Sequence, residues 1–152
     1  MQRLVSMVAH PSETKADIGM TYCTEPDERL EVGQFISEAF FSREPVAIRG
    51  AMANALAQAP SLTVHSHIVK DRPVAAVTLA RDADILGIYN LCVAPKQRGK
   101  GIGSALVRWC LAEAAAENRP ACLQCLPTLE PWYLGLGFTR SSTITVWSLL
   151  KK

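Results

Sequence analysis

Two spacings of apolar residues alternate along the chain, and together they predict an order of strands and helices. Apolar–polar alternation, or a short apolar run, predicts strands at residues 18–23, 62–68, 74–80, 85–93, 121–126 and 143–149. Apolar residues recurring every three or four positions predict helices at residues 24–44, 46–58, 101–117 and 129–136. The three strands from 62 to 93 are joined by short polar turns, so we expect an antiparallel meander.

The start of the chain does not follow this order. Residues 1–16 combine a short apolar stretch with His10, Pro11 and charged residues, and we expect a loose arm there. No internal repeat or linker interrupts the rest, so we expect a single domain over residues 1–152 with its core at about 17–150. The pattern predicts a mixed α/β fold, in which a meander leads into a strand, a glycine-rich loop, a helix and a further strand.

Composition and charge are those of an ordinary globular protein and argue against several partners. Of the 152 residues, 49% are hydrophobic and 20% are charged, and the net charge is +2. A nucleic-acid-binding surface needs a basic stripe, which this charge does not supply. No apolar run is long enough to cross a membrane, and the first ten residues do not resemble a signal peptide. We therefore expect a cytoplasmic protein with no nucleic-acid and no membrane partner.

Five cysteines are scattered through the chain, four of them within apolar runs. An odd number of unclustered cysteines favours buried free thiols in a reducing compartment. Cys122 and Cys125 have the C-x-x-C spacing of a zinc or redox site, but no second ligand pair lies at a suitable distance. We therefore interpret this segment as a buried strand and expect no metal.

The loop before the third predicted helix contains the most chemical information. Three glycines within five residues are interleaved with cationic residues: Arg98, Gly99, Lys100, Gly101 and Gly103. The first turn of a helix offers N–H groups without partners and a partial positive charge. Glycines let an anion approach those groups, so the loop predicts a diphosphate site, to which Ser104 could add a hydroxyl. The alternative is a tight turn without a ligand, although such a turn needs only one glycine.

Two common phosphate-binding motifs do not fit this loop. The P-loop pattern G-x-x-x-x-G-K-[ST] fails in two alignments. With Gly99 as its second glycine, Ala94 stands where the first glycine belongs; with Gly101, Ile102 stands where the lysine belongs. The dinucleotide fingerprint G-x-G-x-x-G fails because its last position is Ser104 or Leu106, and antiparallel strands come first.

The loop does fit a third pattern, R-x-x-G-x-G, through Arg98, Gly101 and Gly103. Placed directly after residues 91–95, it resembles the pyrophosphate loop of the GCN5-related N-acetyltransferases, the GNAT family. A second segment, Y-x-x-x-G-F at residues 133–138, resembles an element near that family's C-terminus. The two segments lie about thirty residues apart and in the family's order.

The order of predicted elements also agrees with this family over about residues 17–150. The resemblance therefore implies an acyl-CoA N-acyltransferase fold, with a mixed, mostly antiparallel sheet of six to seven strands flanked by about four helices. Only about a dozen residues follow Phe138, which is short for the two terminal strands common in the family. We expect one long last strand or a cramped hairpin around Ser141 and Ser142, and an exposed last strand could mediate a homodimer.

By this resemblance the site residues fall into two groups. Acetyl-CoA would be held as the cosubstrate by the fourth strand and the loop, through Leu91, Cys92, Val93, Arg98, Gly99, Lys100, Gly101, Ile102, Gly103 and Ser104. Backbone groups of the strand would pair with the pantetheine arm, and one N–H would stabilise the oxyanion. Tyr133 would be the general acid for the departing thiolate, because a phenol can supply a proton as charge develops on sulfur. The alternative for Tyr133 is an aromatic side chain that only packs.

The resemblance does not identify the general base. Many members place a glutamate on the fourth strand, whereas residues 87–90 of this chain contain no carboxylate. Tyr89 in this region is a candidate for relaying a proton through water. His65 and His67 are predicted on one face of a strand, where they could line a substrate groove or simply face solvent.

The function that these residues predict is transfer of an acetyl group from acetyl-CoA to a primary amine, by direct attack in a ternary complex. The missing carboxylate leaves a non-catalytic acyl-CoA-binding or sensor domain of the same fold as the alternative, with a nucleotide-binding protein as a weaker one. Nothing in the sequence identifies the acceptor. Six acidic residues within 25–44 would suit a cationic acceptor, but solvated helix faces explain them better.

Overall fold

Residues 1–147, which the computed structural model describes, form one mixed sheet with helices on its faces. The elements are β1 (Gln2–Ala9), β2 (Thr21–Cys23), α1 (Pro26–Phe41), α2 (Val46–Gln58), β3 (Leu62–Val69), β4 (Arg72–Arg81), β5 (Leu86–Val93), α3 (Ile102–Ala116), β6 (Ala121–Cys125), α4 (Glu130–Gly135) and β7 (Thr139–Val146). The strand order is β2-β3-β4-β5-β6-β1-β7, and β5 with β6 is the parallel pair. The predicted meander and fold class are confirmed. No helix in this part of the chain is both long and apolar enough to cross a membrane.

Two helical layers lie on opposite faces of the sheet. Neighbouring residues of β4 face opposite layers: Val77 belongs to the core beneath α3, and Ala76 belongs to the core beneath α1. Helix α2 packs mainly on α1, and a side chain at Gly33 would lie 2.7 Å from the Ala53 carbonyl oxygen. Arg29 donates to carbonyl oxygens at the end of α2, which satisfies groups that a helix end leaves open.

The first strand corrects the prediction of a loose arm at residues 1–16. Strand β1 lies between β6 and β7, antiparallel to both, and buries Val5, Met7 and Ala9 in the α3 core. These residues alternate with more exposed ones, which is a strand pattern, but the polar residues after Ala9 obscured it. The strand is stable because its partner β6, far along the chain, offers an edge and an apolar face.

The last strand takes one of its two predicted forms. Strand β7 continues through Ser141 and Ser142 without a hairpin, and it begins at Thr139, four residues before the predicted start. The predicted extension over 148–149 lies outside the described residues. All eight residues of β7 are exposed at the edge of the sheet. Because β1 pairs with the inner side of β7, residues 1–147 form a seven-stranded sheet with only one of those strands after α4.

Candidate active site

The two parallel strands at the centre of the sheet separate soon after they begin. Strands β5 and β6 pair at Leu86 with Ala121 and at Gly87 with Cys122, and the described ladder stops there. One backbone edge of β5, over residues 88–93, therefore faces an opening. Exposed N–H and C=O groups in the middle of a sheet must be satisfied by water or by a ligand.

A bulge in β5 accompanies this separation. Asn90 has a φ of +53°, and the register with β4 shifts between Ala76 and Thr78, so that β5 carries one extra residue. Asn90 Nδ2 donates to Thr78 Oγ1 at 2.9 Å, and Thr78 Oγ1 donates to the Tyr89 carbonyl oxygen at 3.2 Å. Asparagine tolerates a positive φ better than most residues, so this pair of side chains holds the bulge.

The separated strands enclose a cleft of about 340 Å³ that is lined from both faces of the sheet. Phe40 of α1 lines one side and Tyr133 of α4 lines the other, with β1, β5 and β6 forming the walls. The walls consist of aliphatic, aromatic and amide side chains, and one thiol. No Asp, Glu, Lys, Arg or His is among the lining residues in the described part of the chain.

Tyr133 lies in the wall of this cleft with only 7% of its surface exposed. Its ring makes edge contacts with Trp132 and Phe138, at centroid separations of 4.7 and 5.5 Å. Burial raises the pKa of Tyr133 to about 12, with smaller contributions from Cys125 and Cys110. The phenol therefore stays protonated across the physiological range and can act as a hydrogen-bond donor.

The Y-x-x-x-G-F segment has a physical explanation as the end of α4. The Phe138 N–H donates to the Tyr133 carbonyl oxygen at 3.1 Å, and the Gly137 N–H donates to that of Leu134, also at 3.1 Å. Gly137 has a φ of +97°, so the helix ends in a Schellman motif. The apolar contact that accompanies this motif is the one between Tyr133 and Phe138. The motif therefore fixes the position of the Tyr133 ring.

The glycine loop begins α3 as predicted. Gly99 and Gly101 have φ values of +76° and +81°, and Gly101 is the N-cap of the helix. The first helical bond runs from the Ala105 N–H to the Gly101 carbonyl oxygen, so the N–H groups of residues 102–104 have no intrahelical partner. The exposed Lys100 stands between the two glycines. This arrangement suits a diphosphate in charge and in backbone geometry.

Two side-chain contacts connect this loop to the cleft. Arg98 Nε donates to the Val93 carbonyl oxygen at 3.1 Å, which ties the loop to the end of β5. Trp132 Nε1 donates to Ser104 Oγ at 3.3 Å, and its ring lies against Gly103. The residue beside Tyr133 therefore packs on the first turn of α3, so the loop and the buried phenol belong to one assembly.

Comparison with known families identifies the family of this chain. A family model for the GNAT acetyltransferase domain matches residues 63–140, just over half of the chain. The chain belongs to the GNAT family. No curated protein sequence matches it.

Solved GNAT structures share the fold. A GCN5-related N-acetyltransferase from Ralstonia eutropha JMP134 has a TM-score of 0.64 at 23% identity, over 86% of this chain and 99% of that one. A predicted acetyltransferase from Clostridium acetobutylicum, solved with acetyl-CoA, has a TM-score of 0.61 at 20% identity, over 88% and 96%. A GNAT-family acetyltransferase candidate from Novosphingobium aromaticivorans DSM 12444 has a TM-score of 0.69 at 19% identity, over 93% of this chain. This chain spans only 61% of that relative.

Of the site residues that the GNAT resemblance predicted, three line the cleft, whereas the residues of the glycine loop are not among its lining residues. Leu91 and Tyr133 line the same cleft, and Tyr89 lines it too. The Tyr89 ring lies over Gly87, where an added Cβ would come within 2.6 Å of it. The Cys92 side chain faces the α1 core, where burial raises the pKa of its thiol to about 12, so Cys92 can contribute to the cleft only through its backbone.

Several lining residues of this GNAT cleft were not predicted. Gln2 and Leu4 of β1 were assigned to the loose arm, although the alternation over residues 5–9 was a usable signal. Phe40 and Gln124 also line the cleft. No local pattern marks them, because they reach the cleft only through the packing of α1 and the separation of the central strands.

The two histidines lie away from the cleft. His65 is 6% exposed and packs between the rings of Tyr22 and Trp109, at centroid separations of 5.0 and 4.9 Å. Burial lowers the pKa of His65 to about 4, with a smaller effect from Arg81. His67 Nδ1 donates to a backbone carbonyl oxygen 2.8 Å away. The two histidines share one face of β3, as their spacing predicted, and that face lies toward α3. The predicted solvated face is wrong for His65, which is buried.

The C-x-x-C pair does not form a common site. Residues three apart on a strand face opposite sides, and Cys125 lies in the α3 core with its Sγ 3.6 Å from Met7 Sδ. Cys122 is partly exposed on the other face. Four of the five cysteines are buried and all five are free thiols, as predicted.

Proposed function

We propose that this protein is an N-acetyltransferase that transfers the acetyl group of acetyl-CoA to a primary amine. The observation that carries the proposal is the open backbone edge of β5, which borders the same cleft as Tyr133 and leads into the glycine loop. Membership of the GNAT family supports acyl transfer. A relative solved with acetyl-CoA supports acetyl as the group transferred.

The loop and the open strand suit the two polar parts of acetyl-CoA. The free N–H groups of residues 102–104, with Lys100 and the remaining Arg98 donors, would hold the pyrophosphate. Open space surrounds the Cβ positions of Gly99 and Gly101, so a ligand can approach the backbone there. The free edge of residues 91–93, apart from the Val93 carbonyl oxygen that accepts from Arg98, would pair with the amides of the pantetheine arm, as an added strand would. Acetyl-CoA supplies a thioester, whose carbonyl carbon accepts the amine.

Each remaining chemical task has a candidate group at the cleft. A backbone N–H on the free edge of β5 would stabilise negative charge on the thioester oxygen. Tyr133 would donate its proton toward the leaving sulfur, since the buried phenol stays protonated. Among residues 1–147 no carboxylate lines the cleft, so the amine would lose its proton to water, with Tyr89, 40% exposed, as a relay.

Binding of acetyl-CoA to two variants of Gly101 tests the cosubstrate assignment. Asparagine and aspartate both tolerate the positive φ of this position. They differ only in that aspartate has a charged oxygen where asparagine has an amide NH2 group. In calorimetry, Gly101→Asn should bind within about tenfold of the parent, whereas Gly101→Asp should lose about a hundredfold by repulsion of the pyrophosphate. Equal binding by the two variants would contradict the site.

Turnover is measured separately, by release of the CoA thiol in the presence of primary amines. Release that depends on both substrates supports the transferase. Tight binding of acetyl-CoA without turnover of any amine would instead support the non-catalytic acyl-CoA-binding alternative.

A further inference from the structure

We call the side of the cleft that faces α1 its mouth; Phe40, Leu4 and Gln124 line it. The glycine loop and Tyr133 belong to the α3 and α4 side, where the acyl carrier would lie. Gln124 stands between Leu123 and Cys125, both buried in the α3 core, so its side chain faces α1. Leu4 precedes Val5 of the same core and faces α1 for the same reason.

The residues that line this mouth in the described part of the chain carry no formal charge. Three large apolar side chains that line the cleft are left 42–51% exposed, Phe40, Leu126 and Leu129. The polar groups between them are the amides of Gln2, Asn90 and Gln124. Amides can hydrogen-bond to one amine, but they cannot neutralise a second ammonium or a carboxylate. Exposed apolar side chains that border a cleft are typical of a binding site for an apolar group.

The acidic residues that would suit a cationic acceptor lie elsewhere. Glu25 and Glu28 form the capping box at the start of α1. Glu38 is paired with Arg49 of α2. None of the six acidic residues within 25–44 lines the cleft. A polyamine or another multiply charged cation would therefore find no counter-charge there.

We propose that the acceptor is a small monoamine whose remainder is apolar and uncharged, an alkylamine or arylalkylamine; this rests on the proposed acetyl transfer. An apolar substituent would cover Phe40, Leu126 and Leu129, which gains the free energy of removing both surfaces from water. A second charge would have to enter the same surroundings without a partner, which is strongly unfavourable. The cleft of about 340 Å³ must also admit the acetyl end, which limits the acceptor to a small molecule.

The test compares amines of nearly equal size. Hexylamine and pentane-1,5-diamine have the same number of non-hydrogen atoms, and they differ by a terminal methyl against a terminal ammonium. 5-Aminopentanoate carries a carboxylate at the same end, and 2-phenylethylamine adds an aromatic ring. At saturating acetyl-CoA, we expect kcat/KM for hexylamine and 2-phenylethylamine to exceed that of the diamine and the amino acid by about a hundredfold or more.

A charge placed in the mouth should change this preference. Gln124→Glu is isosteric at an exposed position and puts a carboxylate where the distal ammonium of the diamine would lie. We expect it to raise the ratio of diamine to hexylamine kcat/KM about tenfold or more. Gln58→Glu, at the exposed end of α2, is the control and should leave the ratio unchanged.

The outcomes separate this inference from the function on which it rests. Preference for the apolar amines, shifted by Gln124→Glu and not by Gln58→Glu, supports it. Turnover of the diamine or of 5-aminopentanoate at a rate equal to hexylamine overturns the acceptor class and leaves the acetyltransferase standing. If the protein binds acetyl-CoA but does not acetylate hexylamine, the acceptor class is also overturned. Absence of acetyl-CoA binding would overturn the proposed function itself.

Discussion

Replacing Tyr133 by phenylalanine removes one hydroxyl from the wall of the cleft and little else. The ring contacts with Trp132 and Phe138 are edge contacts that phenylalanine preserves. The backbone bonds that end α4 do not involve the side chain. The variant should therefore fold and bind acetyl-CoA as the parent does, which isolates the contribution of the phenol to the chemical step.

The raised pKa sets the size of the expected effect. With a phenol pKa of about 12 and an ordinary thiol pKa of about 8.5, complete proton transfer to the thiolate would be uphill by about 5 kcal/mol. The same surroundings reduce this difference, because burial also raises the pKa of the Cys125 thiol in this cleft. Tyr133 should therefore act by donation to the sulfur as its charge develops. Loss of such a donor lowers kcat by about a hundredfold, at the lower end of acid–base effects.

The assay is thiol release at saturating acetyl-CoA and amine, with all three tyrosines replaced in turn. Tyr22→Phe, away from the cleft and stacked on His65, should have the parent kcat. Tyr89→Phe should show a smaller loss than Tyr133→Phe if it relays the proton of the amine. A kcat for Tyr133→Phe within threefold of the parent, with turnover otherwise normal, would refute the acid role and leave Tyr133 as a packing residue.

Three further predictions concern stability, each measured by urea unfolding. Asn90→Gly should lower the free energy of unfolding by about 1 kcal/mol, because the hydrogen bond to Thr78 is lost. Asn90→Ala should lower it by about 2 kcal/mol, because alanine also resists the positive φ. Equal losses for the two variants would argue against strain at the bulge. Met7→Ala should lower the free energy of unfolding by about 2–5 kcal/mol, because Met7 is fully buried, whereas Ser6→Ala should lower it by about 0.5 kcal/mol. Equally small losses for the two variants would contradict a buried first strand. For His65, whose pKa is about 4 in the fold and 6.5 in the unfolded chain, the unfolded chain binds more protons between those values. The free energy of unfolding should therefore fall by on the order of 3 kcal/mol as the pH falls from 6.5 to 4. His65→Gln should make the free energy of unfolding less dependent on pH in this range.

The elements of the site that could be predicted are those whose signals are local. Residues 98–103 span one loop and the first two positions of α3, and two of the three glycines there, Gly99 and Gly101, adopt positive φ. The segment 133–138 is likewise complete in itself, because a Schellman motif needs only one helix end and the next two residues. The meander over 62–93 followed from a period of two with short turns.

The bulge at Asn90 had no such signal. A single extra residue on one strand is defined by the register against its neighbour, and a register cannot be found in either strand alone. The burial of His65 between Tyr22 and Trp109 had the same origin, since the three residues come from separate elements.

The sequence by itself therefore determined the order of elements after β1, the glycine loop and the capped helix that carries Tyr133, because each depends on backbone preferences of neighbouring residues. The tertiary structure decided where β1 pairs, how far β5 and β6 run together, and which side chains meet at the cleft. These features depend on which strand edges and apolar faces are still unpaired after local structure has formed. That is why residues 1–16, taken alone, indicated a loose arm, whereas the assembled sheet holds most of β1 at its interior.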